Sequence, residues 1–488
     1  MTMTTTAQAP VGLKTELFIN GRWEDLPDRP RIQVHNPATG ELIAEIPDAS
    51  PEDGRRAVDA ANAAQAAFAG MSTRARADIL LAAHKLLLES KEELAVIMTT
   101  EMGKPLAEAR GEIEYSAGYL QWYAQEGVRV QGSHAESPSG RGQIVLSREP
   151  IGVSLLITPW NFPLAMGARK IAPAIATGCA VVVKPAEKTP LTMLFLAKIF
   201  EQAGVPAGTV NVVTTSGSSA LVAPLLSDGL VRHLSFTGST FVGSKLHGQC
   251  SDHMIRTSLE LGGNAPFIVF EDVDLDKAVT EITAAKMRNM GEACTAANRV
   301  LVHESIAEEL TAKLTERFAS FRVGNGLEEG TEIGPMIDDA SVERIQSLVD
   351  DAVAGGAEVR VGGSIPEGAG SFYPPTVLAN VSRDARLTQE EIFGPVAPII
   401  TFTDEDDAVA LANDTAYGLA GYLMTNDLGR AHRVARRLEV GMVGINSGII
   451  SDVAAPLGGV KASGIGREGG VLGIDEFLEY KYTFIPHQ

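Results

Sequence analysis

IGVSLLITPWNFPLAMGARKIAPAIATGCAVVVKPAEKTPLTMLFLAKIFEQAG, residues 151–204, is the stretch whose reading decides the fold. It alternates short β-rich apolar runs, VSLLI and AVVV, with helical patterns that begin near Leu164 and at Pro190. Parallel strands joined by crossover helices produce this alternation. Thr189 followed by Pro190 reads as an N-cap hydroxyl and first helical position, and Gly204 as the stop. The series continues with strand VNVV, a helix near Ser218 to Leu226, strand HLSF and a helix after Thr240, which together predict one doubly wound nucleotide-binding unit. After Glu260 a second α/β series starts. It comprises strand FIVF, a helix from about Leu275 to Met290, strand RVLVH, helices around 305–321 and 339–354, and strands near APIITF, GYLMT and MVGIN separated by helices near 405–413 and 428–438. Residues 131–149 and 477–484 read as extended and predict a small separate sheet.

The bulk numbers bound the function. A chain of 488 residues exceeds one core, and at about 150 residues per domain several units are expected. Hydrophobic residues at 45% and charged residues at 21% are ordinary globular usage. The formal charge of -20 would repel a phosphate backbone, so nucleic acid is not expected as a partner, and a small anionic ligand would need its own local cations. The N-terminus lacks a basic start and apolar run, and the stretch Ile171 to Val183 is too short and too interrupted to span a bilayer, so neither export nor a membrane is expected. Three cysteines without CxxC spacing, Cys179, Cys250 and Cys294, argue against disulfides and a zinc site and predict a reducing, cytoplasmic setting with no metal.

Two segments carry chemistry. SLELGGNAP holds Glu260 beside a glycine pair, and NMGEACTAANR holds Cys294 among small residues. A thiolate attacks carbonyl carbon, and a positioned carboxylate activates the water that releases the product. The literal GxGxxG at Gly464, Gly466 and Gly469 lies too close to the C-terminus for a dinucleotide-binding βαβ unit and reads as a chance loop match. Gly238 to Gly243 followed by Lys245 fails as a phosphate loop, yet its strand-to-helix turn through Gly238 and Ser239 suits a pyrophosphate, with an ordinary glycine turn as the alternative. Lys184 and Glu187 follow strand AVVV, where α/β sheets bind ligands; they read either as a solvated charge pair or as the holders of an adenosine ribose, a carboxylate there disfavouring a 2′-phosphate.

With these residues stands a set of motifs in a fixed order: TPWNFP at 158–163, KPAEKTP at 184–190, FTGS at 236–239, LELGGNAP at 259–266, the Cys294 loop, EEIFGPV at 390–396 and GGVKASGIGRE at 458–468. Over nearly its whole length the chain resembles the aldehyde dehydrogenase superfamily. EIEYSAGYLQWYAQEG, LGGNAPFIVFEDVDLDKAV, GINSGIIS and GIDEFLEYKY look like its succinate-semialdehyde dehydrogenase branch. The resemblance implies an α/β, aldehyde dehydrogenase-like fold. It would comprise a Rossmann-type dinucleotide-binding domain from residues 1–127 and 151–262, a catalytic domain from 263–462, and oligomerisation segments at 128–150 and 475–488, hence a homo-oligomer, dimer or tetramer.

The same resemblance implies roles. Cys294 would be the nucleophile, Asn161 with the Cys294 N–H the oxyanion donors, and Glu260 the base for thioester hydrolysis, favouring a free acid as product. Lys170 and Glu468 would form a proton relay. Trp160, Lys184, Glu187, Gly238, Ser239, Leu261, Glu391 and Phe393 would contact NAD, with NADP left open because Lys184 remains and Lys188 is adjacent. Arg169, Arg288 and Ser451 would clamp the carboxylate of succinate semialdehyde. The competing readings are oxidation of glutarate semialdehyde or an aromatic aldehyde, and a non-catalytic binding protein on the same fold. Two departures bear on this. Where much of the branch carries GQTC and a second cysteine two positions on, this chain has Glu292 and Ala296, so no vicinal disulfide is available, and an ionised Glu292 would oppose the thiolate unless it points away. Glu187 stands where NADP-preferring members often carry a small residue.

Overall fold

The computed structural model describes residues 13–487. An eight-stranded sheet runs in the order Gly464–Ile465, Arg256–Glu260, His233–Thr237, Ser154–Ile157, Val181–Lys184, Val210–Val212, Leu17–Ile19, Arg22–Glu24. The strands from Ser154 to Glu260 pair in parallel, and every residue of Ser154–Ile157 and Val181–Lys184 is buried, which is why both read as unbroken apolar runs. From Ser154–Ile157 the chain first builds outward through Val181–Lys184 and Val210–Val212. It then returns to place His233–Thr237 on the opposite side. That reversal opens a crevice at the carboxyl ends of the two middle strands, where Trp160, Asn161, Gly238 and Ser239 follow.

A seven-stranded sheet is built from Glu358–Val361, Thr376–Ala379, Val396–Phe402, Ala297–His303, Ala265–Val269, Ala420–Met424 and Met442–Ile445, all parallel except the first. Its amino-terminal edge meets the carboxyl edge of the first sheet through the short connection from Glu260 to Ala265. The two extended segments form a three-stranded sheet in which Leu478–Pro486 lies antiparallel to Gly142–Pro150, with Ser133–Glu136 beyond. Among the described residues no helix is long and apolar enough to cross a membrane.

Three local expectations change. Thr189 does not cap the helix Pro190–Gln202; its hydroxyl donates to Trp160 O at 3.3 Å, and the buried carboxyl of Glu101 accepts from Leu191 N and Thr192 N, both at 2.8 Å. Burial pushes Glu101 up to about 7, against those hydrogen bonds. The helix expected to reach Met290 ends at Met287, because Asn289, Met290 and Gly291 all take positive φ (53°, 56° and 80°). The glycine-rich segment after Ser463, expected as a loop, begins with a short strand: Gly464–Ile465 pairs antiparallel with Leu259–Glu260 and backs the strand that ends in Glu260.

Candidate active site

Where the two sheets meet, a cavity of about 330 Å³ is lined by Trp160, Asn161, Glu260, Cys294, Glu391 and Phe393 among others. Glu260 is the last residue of its strand and Cys294 lies just before the strand Ala297–His303, so neighbouring strand ends bring the pair together. Gly263 sets how closely. A Cβ there would stand 2.3 Å from Cys294 O, so only glycine lets the two segments touch. Gly263→Ala is expected to lower stability by about 1–3 kcal/mol through overpacking. It should also cut turnover roughly 100-fold, the cost of displacing a reacting group by about 1 Å; denaturant melts and steady-state rates measure the two effects separately.

The loop before Cys294 is held under strain. Left-handed backbone costs an ordinary residue about 1–2 kcal/mol, and Asn289 and Met290 both adopt it. Their surroundings determine them: Asn289 N donates to Glu108 Oε2 at 2.6 Å, and Asn289 Nδ2 donates to Asn161 O at 3.1 Å and Glu292 O at 3.0 Å. Gly291 packs on Gly394 with no room for a side chain, a Cβ falling 2.2 Å from Gly394 O. Glu292 turns away from the cavity. Its Oε1 accepts from Ile337 N at 3.1 Å, its Oε2 is buried without a partner, and burial pushes its carboxyl well above the usual carboxylate range. Turned to Ile337, its carboxyl does not line the cavity at Cys294.

Burial also pushes the Cys294 thiol up to about 12; Arg169 works against this, and the charges of Glu391 and Glu260 add to it. Glu260 rises well above its ordinary value, first from burial and then from Glu468, against the pull of Arg169 and Lys170. Its Oε1 has no hydrogen-bond partner. Glu468 behaves oppositely: burial alone would raise it, but Lys170 and Arg169 hold it well below the usual range. Arg169 Nε lies 2.6 Å from Glu468 Oε2, and Lys170 Nζ donates to the other Glu468 oxygen and, at 2.8 Å, to Ser235 Oγ. Two donors remain free. Asn161 Nδ2 gives one hydrogen to Glu292 O at 2.9 Å and keeps the other, while the Cys294 N–H has no acceptor among the described residues. A thiol, a carboxyl of raised pKa and two unused N–H groups around one cavity can attack a carbonyl, hold its developing charge and, through the carboxylate form, take up a proton.

Beyond Trp160 the crevice continues into a cleft of about 480 Å³ lined by Lys184, Glu187, Ser239, Phe241 and Lys245 among others. Ser239 caps the helix Thr240–Ser251, whose first turn faces this cleft. Lys184 is buried, its ammonium donating to Pro185 O at 2.9 Å with Glu187 3.9 Å away, and burial lowers its pKa. A buried ammonium with so few partners suits ribose hydroxyls, and the helix N-terminus suits a pyrophosphate, so these residues fit a dinucleotide. Leu261 lies against Gly243, where a Cβ would fall 2.3 Å from Leu261 Cδ2. At the junction of the two cavities Phe393 (φ 52°) meets Trp160 edge to face at 5.4 Å. Glu391 Oε1 accepts from Gly263 N at 3.1 Å, and burial pushes Glu391 up to about 7.

A third cavity, of about 580 Å³, is lined by Glu108, Tyr115, Phe162, Phe321, Arg288 and Ser451 among others. Arg288 Nη1 donates to Ser451 Oγ at 2.9 Å, and the guanidinium stands 4.9 Å from the centre of the Phe162 ring. Of the three residues expected to clamp a carboxylate, the structure brings these two together. Arg169 lines neither this cavity nor the one at Cys294, because its guanidinium is buried against Glu468 and Met166. Sequence reasoning missed Glu108, Tyr115 and Phe162. Glu108 and Glu112, four residues apart on the helix Leu106–Gly127, were the available signal, since both carboxyls then fall on one face.

A sequence profile of the aldehyde dehydrogenase family matches residues 23–483. The chain is 52% identical over 444 residues to a succinate-semialdehyde dehydrogenase of Paenarthrobacter nicotinovorans, covering 91% of this chain and 99% of that one. It is 46% identical over 472 residues to a glutarate-semialdehyde dehydrogenase of Pseudomonas putida, covering 97% and 98%. The crystal structure of an NADP-dependent enzyme of E. coli superposes with a TM-score of 0.96 at 46% identity, covering 97% and 98%. The chain therefore belongs to the aldehyde dehydrogenase family and is an oxidoreductase.

Proposed function

We propose that this enzyme oxidises succinate semialdehyde to succinate with a nicotinamide dinucleotide, the reading supported by the Arg288–Ser451 pair in the cavity beside the Cys294 site, where Arg288 is the one cation among the described lining residues, which include Glu108, Glu112 and Glu332. A guanidinium already held by a hydroxyl and an aromatic face is pre-organised to receive a carboxylate in bidentate fashion. The Cys294 thiolate attacks the aldehyde carbon, and the oxyanion of the resulting thiohemiacetal takes the spare hydrogen of Asn161 Nδ2 and the Cys294 N–H. The dinucleotide, when bound, accepts the hydride that this carbon loses. Trp160 and Phe393 would wall its ring, Glu391 would hold its ribose, and Leu261, Gly238 and Ser239 would line the path to its phosphates. The thioester left on Sγ is hydrolysed by water that Glu260 deprotonates. Lys170 and Glu468, behind Glu260, carry that proton onward.

For the second nucleotide we propose a preference for NAD. Glu187 stands beside Lys184, where a carboxylate repels a 2′-phosphate. Lys188, the other candidate for that phosphate, is paired with Asp338 and lies over the Trp160 ring. We further assign residues 1–127 with 151–262 to dinucleotide binding, 263–462 to catalysis and 128–150 with 475–488 to a homo-oligomer interface in a cytoplasmic enzyme, residues 1–12 and 488 of these ranges lying outside the described residues. Exposed Tyr480, Tyr482 and Phe484 on the outer strand support the last of these.

Rates measured for succinic, glutaric and uncharged aldehydes against NAD and NADP test the whole reading. Equal rates for the charged and uncharged aldehydes would overturn the clamp. Arg288→Ala is expected to raise KM for the dicarboxylic semialdehyde about 10–100-fold, from roughly 1.5–3 kcal/mol of charged hydrogen bonding. It should leave KM for an uncharged aldehyde of the same length within about threefold. Glutarate semialdehyde is the second reading, because the Pseudomonas putida relative carries that name and one methylene changes binding by only about 1–3 kcal/mol.

A further inference from the structure

Lys104 lines none of the three cavities, yet its fully buried ammonium is tied to the candidate oxyanion site. It follows Gly103, which ends the helix Lys91–Met102 in a left-handed turn. Nζ donates to the carboxylate of Glu112 and, at 2.8 Å, to the main-chain oxygen of Asn161, and it sits 4.2 Å from the centre of the Phe162 ring. Glu112 turns its other oxygen to the far side of the same turn, accepting from Leu164 N at 2.9 Å and Ala165 N at 3.0 Å. The Lys104–Glu112 pair thus grips residues 161–165 from both sides. It holds the carbonyl of Asn161 and the first amides of the helix Ala165–Thr177, which carries Arg169 and Lys170. Asn289 Nδ2 joins the same Asn161 carbonyl at 3.1 Å and links the grip to the loop before Cys294.

A peptide plane fixed at its oxygen by an ammonium and an amide has little freedom to rock, and the side chain on the same residue inherits that constraint. An oxyanion donor is effective because its position is set before charge develops. We propose that Lys104, with Glu112, is a positioning residue that fixes the Asn161 amide where the substrate oxyanion forms; this rests on the reading of Asn161 as an oxyanion donor.

The test is a double-mutant cycle in the full-length enzyme. It reads the first-turnover rate of reduced-cofactor formation, the dissociation constant of the cofactor and the rate of Cys294 alkylation by iodoacetamide. Lys104→Met is expected to slow the first turnover about 10–100-fold, a share of the roughly 10²–10³-fold that loss of a whole oxyanion donor costs. Cofactor affinity and alkylation should stay within about threefold. In an Asn161→Ala background the same substitution should cost less than about threefold, because residues acting as one unit are not additive. The full effect of Lys104→Met persisting without the Asn161 side chain would overturn the proposal and leave the oxyanion reading standing. An unchanged first turnover in Asn161→Ala alone would overturn that reading itself, and the proposal with it. A parallel loss of cofactor binding and alkylation would show a merely structural lysine. Should Lys104→Met not fold, Glu112→Gln removes the ion pair with little change of shape, and the same cycle decides.

Discussion

Cys294→Ala is expected to abolish oxidation of every aldehyde, by about 10⁴-fold or more, while the protein still folds and binds its dinucleotide. The size follows from the loss of the bond-forming atom: where nucleophile and base act as a unit, removing the nucleophile costs about as much as removing the whole set. No neighbour can take its place. Cys179 and Cys250 are fully buried, the former with its sulfur donating to Phe477 O, and the Glu292 carboxyl is turned to Ile337. The sulfur of Cys294 makes no hydrogen bond among the described residues, and its main-chain oxygen, which meets Gly263, is kept in the variant. Absorbance of the reduced nicotinamide measures the loss, and cofactor titration with a thermal melt checks that site and fold persist. Turnover near the parent level in Cys294→Ala would exclude the covalent route.

The parts of this molecule that were legible in the sequence are those written by local pattern. Strands buried on both faces gave VSLLI and AVVV as uninterrupted apolar runs, and the strand ends marked Lys184 after AVVV and Ser239 after HLSF as ligand-facing positions. What was not legible depends on partners far along the chain. Thr189 has the chemistry of an N-cap, but Glu101 supplies two acceptor oxygens to the same amides and the hydroxyl turns elsewhere. Arg169 looks like a substrate clamp until Glu468, 299 positions later, claims its guanidinium. The direction of Glu292 is fixed by three consecutive left-handed residues, a conformation that local propensity gives little reason to expect at Asn289 and Met290. Lys104 is illegible for the same reason: nothing beside it in sequence reveals that its ammonium reaches Asn161.

The second large effect is expected at Glu260, and it separates the two halves of the reaction. Glu260→Ala should keep a first-turnover burst of one reduced cofactor per active subunit and then stall, with the steady-state rate down about 10²–10⁴-fold, the usual worth of a general base. The burst survives because attack by Cys294 and loss of hydride need the thiol and the two N–H donors, none of which the substitution touches. The stall follows because the Glu260 carboxyl, whose oxygens accept no hydrogen bond among the described residues, is no longer there to take a proton from water. The pH profile carries the same signature. Burial and the charge of Glu468 raise the Glu260 pKa above the usual carboxylate range, so the base form grows at higher pH than for an ordinary carboxylate. The parent's steady-state rate should therefore climb with pH, whereas Glu260→Gln, which does not titrate, should lose that dependence in the hydrolytic step. Hydroxylamine provides the control: a nucleophile that needs no base should intercept the thioester and restore turnover to Glu260→Ala, releasing a hydroxamate. If burst and steady state fall together and hydroxylamine restores neither, Glu260 acts earlier, as the base that deprotonates the Cys294 thiol. The elevation of that thiol to about 12 makes this the one competing role the geometry supports.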